Sequence, residues 1–282
     1  MNKRTDLAVE AKQLYERSTR ATSALEGVVA REGKRFGFTL THIEITNEKG
    51  ERNLGKPIGN YYTLELGKEE IKGRSADRAA RTLSELLSAM MRLKKEEKVL
   101  VVGLGNREVT PDTIGPNTVS GIFLTRHLIA HMPQYFGDLR SVCAVTPGVL
   151  GATGFESQEL VSGAVGKARP DKVLVIDALA SSDPERICTT IQLTDTGIVP
   201  GSGVGNARLA FNKHTVGVPV FAIGVPTVMD LQACCDSIRD NSLMVTPRDI
   251  DRRVHSVSKI ISDGINRTLH PKLDAQLIAE LS

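Results

Sequence analysis

The chain has 282 residues, 40% hydrophobic and 24% charged, the balance of an ordinary globular protein rather than a disordered or fibrous one. Its net charge of +3, with Lys and Arg interspersed among Asp and Glu, is too small to argue for direct nucleic-acid binding. No window reaches the roughly 18 consecutive apolar residues of a membrane span, and Met1–Asp6 lacks the apolar stretch of a signal peptide, so a cytoplasmic setting without a membrane partner is expected. The four cysteines, Cys143, Cys188, Cys234 and Cys235, show no CxxC spacing and read as free thiols of a reducing compartment, not zinc ligands.

In chain order, residues 5–31 read as helical, with Gly33 near the end. Phe36–Ile45 alternates like a strand, Asn47–Gly50 reads as a turn, and Tyr61–Leu66 reads as a second strand, so this region is a small β excursion. Ser75 opens a long helix whose apolar face is Ala76, Ala79, Ala80, Leu83, Leu87 and Met90. Val99–Val102 is a fully apolar, β-branched run suited to a central parallel strand buried on both faces. After the loop Thr110–Pro116, a helix is expected from Asn117 to His131, a short strand at Val142–Val145 and a helix at Glu156–Ala168. Lys172–Ile176 is another central strand, ending on Asp177; Val218–Gly224 is a further strand, and Pro247–Ser282 reads as mostly helical. Aromatic content is 4% and there is no Trp, so the core is aliphatic. The expected fold is α/β: an open, twisted, mostly parallel sheet flanked by helices, of the phosphorylase/hydrolase-like kind.

In such sheets function gathers beyond the C-terminal ends of the strands. Two central strands deliver an aspartate there: Asp177 at the end of Val173–Ile176, and Asp112 in the loop after Val99–Val102, hemmed by Pro111 and Gly115-Pro116. Paired carboxylates activate a water with one protonated and one ionised, or with a divalent metal between them. A single strand-end aspartate more often caps the next segment; two at one edge point to chemistry. His214, just before a strand, is the candidate third ligand beside Asp112 and Asp177, whereas His127 and His131 are expected to be surface residues. The loop Gly201-Ser202-Gly203 is a candidate oxyanion or substrate loop, or else a sharp turn. Gly103-Leu104-Gly105 is not a dinucleotide fingerprint, because the third glycine would fall at Glu108; no nicotinamide cofactor is expected, and no GxSxG elbow is present.

Several stretches in order resemble the spore germination protease family: Arg4–Ala11, Gly103–Asn106 with Thr110-Pro111-Asp112, Thr146–Val149, Ile176–Ala180 and Gly197–Asn206. The resemblance implies an endopeptidase that degrades small acid-soluble spore proteins and a fold similar to hydrogenase maturation endopeptidases. It also implies essential aspartates at Asp112 and Asp177, a homotetramer in the spore core, and synthesis as a zymogen. The family's substrates are cut after an acidic residue, and Thr5-Asp6-Leu7-Ala8 resembles such a target. Autocleavage between Asp6 and Leu7 is therefore expected, with residues 1–6 as propeptide and 7–282 as a single α/β peptidase domain. The competing readings are a hydrolase or phosphorylase acting on a nucleotide-like small molecule, and a non-catalytic binding protein.

Overall fold

The computed structural model describes residues 5–19, 25–67, 72–205, 208–231, 243–274 and 277–278. Cys234, Cys235, Asn206 and the last turn of the expected C-terminal helix lie outside them. Among the described residues nine strands form one sheet: β1 (Val28–Arg35), β2 (Phe38–Ile45), β3 (Gly59–Glu65), β4 (Val99–Gly103), β5 (Val142–Val145), β6 (Lys172–Ser181), β7 (Thr190–Thr194), β8 (Val220–Asp230) and β9 (Met244–Val245). Their order is β1-β2-β3-β7-β8-β6-β4-β5, with β9 added to β8. The described helices that shape the molecule are α1 (Ala8–Thr19), α2 (Glu48–Leu54), α3 (Arg74–Met91), α4 (Ile114–Ser120), α5 (Arg126–His131), α6 (Ser157–Ala168), α7 (Lys213–Val216) and α8 (Ile250–Leu269).

The sheet is mixed, not mostly parallel as expected. Three of its eight strand pairings are parallel, β4–β5, β4–β6 and β6–β8; the other five are antiparallel. The physical cause is β7. Its alternating Thr190-Ile191-Gln192-Leu193-Thr194 pairs antiparallel with both β8 and β3, so residues 28–65 continue the main sheet instead of forming an excursion beside it. The expected helix over 5–31 shrinks to α1, and Val28–Arg35 becomes an edge strand with exposed charged side chains. That charge blunts the edge against further strand addition.

Two other boundaries moved. Asn47 is not a turn residue but the cap of α2, its side chain accepting the N–H groups of Lys49 and Gly50. The expected helix over 117–131 is two helices, α4 and α5. Asn266, on distant α8, accepts the Phe123 N–H at 2.9 Å and donates to the Gly121 carbonyl at 2.8 Å. Those tertiary bonds replace the helical ones that residues 121–123 give up.

The core has two sides. On one, α3 and α8 bury Leu83, Leu87, Val254, Ile261 and Ile265 against Val101, Leu174, Ile176 and Ile223. On the other, α6 covers the parallel half through Val161, which packs with Leu100, Val102, Val173 and Val175. There the antiparallel half is covered by the N-terminal segment, with Leu7, Ala8 and Val9 packed against Ile43, Ile45, Tyr61 and Leu179. Leu7 is 0% exposed. Glu10 pins this segment to the end of β6: its buried carboxylate accepts the Ser182 N–H and the Ser181 and Ser182 hydroxyls, and it pairs with Arg186 at 3.5 Å. Among the described residues no helix is long and apolar enough to cross a membrane.

Candidate active site

Asp177 is not the last residue of its strand; β6 runs four residues further, to Ser181. What ends beside it is β4, whose pairing with β6 stops at Gly103–Ile176. Asp177 is therefore the first β6 residue past the end of β4, where the sheet opens toward the loop that carries Asp112. That loop folds straight back: the Leu104 N–H donates to the Ile176 carbonyl at 2.8 Å, and Thr110–Asp112 closes as a 3-10 turn. Gly105, at φ +119°, is needed here, since a Cβ on it would stand 2.0 Å from the Asp112 carbonyl oxygen.

The two carboxylates share one cleft of about 640 Å³. Its wall includes Leu104, Val149, Leu150, Pro200, Arg208 and Thr227. Asp112 is half-buried, and its Oδ2 accepts the Asn106 N–H at 2.8 Å. Asp177 is buried, and its Oδ1 accepts the neighbouring Ala178 N–H at 2.9 Å. Burial raises the pKa of both. For Asp112 the Asn106 N–H works against the rise. For Asp177 the charges of Asp112 and Asp6 add to burial, and its carboxyl stands well above the usual carboxylate range. Burial and the neighbouring charges thus favour the neutral form of Asp177 more strongly than that of Asp112, an asymmetry that suits general acid–base work on a water molecule.

Asp6 enters the same cleft. Its N–H donates to the Ala180 carbonyl at 3.0 Å, its Oδ2 accepts the Ala180 N–H at 2.9 Å, and its Oδ1 accepts the Ser202 hydroxyl at 2.7 Å. Gln192 of β7 donates to the Asp6 carbonyl at 3.2 Å and accepts the Ala8 N–H at 2.7 Å. Gly203 makes room for this seat, because a Cβ there would lie 2.0 Å from Asp6 Oδ2. Lys56, half-buried, is a cation near Asp6: burial lowers its pKa, against the opposing charges of Asp6 and Glu10. In the loop Gly201-Ser202-Gly203, Gly201 lines the cleft, while the Ser202 hydroxyl is engaged by Asp6 and its N–H by the Val199 carbonyl.

The histidines stand elsewhere. His214 is exposed on α7 and is not part of the cleft wall; His127 and His131 are exposed on α5. Among the described residues no group of three or more His, Cys, Asp or Glu is placed to hold a metal ion. His214 therefore stands apart from Asp112 and Asp177. The sequence reading missed the wall formed by Thr227, Met244 and Thr246. Its available signal was Pro226, because a proline inside a central strand marks an irregularity in the ladder.

A mixed α/β sheet that opens at the end of β4, and sets two carboxylates in one cleft, is an arrangement a hydrolase can use. A family model described as germination protease matches residues 8–240. Germination proteases of Caldanaerobacter subterraneus subsp. tengcongensis and Clostridium tetani are 41% and 37% identical to this chain. The alignments cover 99% and 98% of it and 97% and 98% of those proteins. A NiFe hydrogenase maturation protease from Thermococcus kodakarensis, at 16% identity, overlaps 65% of this chain and 98% of its own with a TM-score of 0.36. The chain belongs to the germination protease family. It is an endopeptidase of that family, whose function is the degradation of small acid-soluble spore proteins.

Proposed function

We propose that Asp112 and Asp177 are the catalytic pair of this endopeptidase. The observation that carries the reading is their shared cleft, with Asp177 driven toward its neutral form by burial and by the charge of Asp112. Asp112, steadied by the Asn106 N–H, takes a proton from the attacking water. The resulting hydroxide adds to the peptide carbonyl carbon. Asp177 gives its proton to the amide nitrogen as the C–N bond breaks, leaving a carboxyl and an amine. The two carboxyls titrate as a pair, and after turnover the proton passes back between them through solvent.

The same reading extends to the N-terminus. Residues 1–6 act as propeptide and 7–282 as the peptidase domain, with the bond cut lying between Asp6 and Leu7. Support comes from Asp6, which lines the same cleft as the pair and holds two hydrogen bonds on its carboxylate there. An acidic residue seated in the cleft blocks it and raises the proton affinity of Asp177, so a fall in pH favours the protonation state the pair needs. The working enzyme is proposed to be a homotetramer in the spore core.

The experiment is incubation at mildly acidic pH, followed by N-terminal sequencing and by mass spectrometry of fragments from a small acid-soluble spore protein. Leu7 as the new terminus, with cuts after acidic residues in the substrate, is expected. An unchanged N-terminus in a preparation that already cleaves substrate refutes the propeptide assignment. Undiminished cleavage by a folded Asp112→Asn variant refutes the catalytic one.

A further inference from the structure

Strands β6 and β8 run parallel with regular pairing from Val173–Val220 as far as Leu179–Pro226, and then Ala180 pairs with Val228. Thr227 is the extra residue. A bulge of this kind re-aims one side chain, and such bulges are over-represented beside active sites. Thr227 sits on the wall of the Asp112/Asp177 cleft and is 1% exposed. Its carbonyl is held by the Thr246 hydroxyl at 2.8 Å, so its backbone is tied down. Its own Oγ1 has no hydrogen-bond partner among the described residues. Of the buried side-chain atoms left in that condition, it is the one on this wall.

A buried hydroxyl without a partner is unfavourable for the fold, and that cost is accepted where the group serves a ligand. We propose that the Thr227 hydroxyl donates a hydrogen bond to a main-chain carbonyl of the peptide substrate. It is a positioning residue that sets the register of the extended peptide over the two carboxylates. The acceptor is a carbonyl because a hydroxyl donor complements the group every peptide presents at each residue. This rests on the reading of the cleft as the catalytic site.

The test uses the full chain with a peptide substrate cut after an acidic residue. Thr227→Val, Thr227→Ser and Asp112→Asn are compared with the wild type by steady-state kinetics and thermal melting. Thr227→Val keeps the shape and removes the hydroxyl. It is expected to lower kcat/KM by about 10- to 100-fold, the effect of one lost hydrogen bond to substrate. Its Tm should be unchanged or higher, because no protein partner is lost. Thr227→Ser should retain activity to within a few-fold.

Three results overturn the inference. One is Thr227→Val activity within threefold of wild type while Asp112→Asn is inactive. Another is a Thr227→Ser variant as impaired as Thr227→Val. The third is a lowered Tm for Thr227→Val that the serine variant restores together with activity, which makes the hydroxyl structural. An active Asp112→Asn variant instead overturns the reading of the cleft, and this inference falls with it.

Discussion

Asp177→Asn separates what this residue does for chemistry from what it does to the fold. Asparagine keeps the size and the Oδ1 that accepts the Ala178 N–H, but it carries no charge. Burial, then Asp112 and Asp6, raise the folded-state pKa of Asp177. Above about pH 3.9 the unfolded chain has therefore released a proton that the folded protein still holds. The unfolded state then binds fewer protons, so this residue lowers stability as pH rises, until the folded pKa is passed. The variant lacks that loss. Its advantage over wild type should be absent near pH 4 and grow upward, by at most about 1.4 kcal/mol for each pH unit. Relief of one poorly compensated buried group is worth about 1–3 kcal/mol, and each kcal/mol moves Tm by roughly 2–4 °C in a protein of this size class. Peptide hydrolysis should meanwhile fall by about a thousandfold or more. The assay is a series of melts from pH 4 to 8 on both proteins, with peptidase rates alongside. A Tm difference that is negative, or that stays flat across the series, would refute the electrostatic argument whatever happens to the rates.

Gly203→Ala should evict Asp6 from its seat, since the new Cβ would meet Asp6 Cγ at 2.5 Å and the Ala180 Cβ at 2.8 Å. Overpacking of this kind costs about 1–3 kcal/mol, and the Ala180 amide, which donates to Asp6, should exchange its hydrogen faster; unchanged protection there would contradict the placement. Replacing both His127 and His131 by Ala should leave hydrolysis within about twofold of wild type, because both are exposed on α5; a folded but inactive double variant would place α5 in the site.

The parts of the fold that could be read from sequence were those whose burial is written into the residues themselves. Val99–Val102 and Val173–Ile176 are apolar on both faces because helices cover both faces. The apolar stripe of α3, with Ala79, Ala80, Leu83 and Leu87 buried, was equally plain. β7 was not, since it is five residues long and its polar Gln192 faces a partner almost two hundred residues away in sequence. Missing that one strand made the sheet look parallel. β1 was hidden for the opposite reason: an edge strand with almost no buried side chain carries no period-2 signal. The break between α4 and α5 depends on Asn266, which no local pattern announces. That Asp112 and Asp177 lie at one edge of the sheet was legible from their place after apolar strands, and both line the same cleft. The Thr227 wall was not, because a bulge is a property of two strands in register and not of either alone.

The seating of the N-terminal segment also has a consequence for how the molecule is made. Most of the groups that hold Asp6–Glu10 lie far later in the chain, and so are made long after these residues. Leu7 needs Ile43, Tyr61 and Leu179; Glu10 needs Ser181 and Ser182; Asp6 needs Ala180 and Ser202. Ser202 follows Asp6 by 196 residues. At about 5–20 residues per second, that separation is roughly 10–40 s of synthesis. Throughout that interval the cleft does not yet exist to be occupied, and the segment destined for it waits without its partners. The segment is thus made well before its seat, so the cleft acquires its occupant only once the chain through Ser202 has been synthesised.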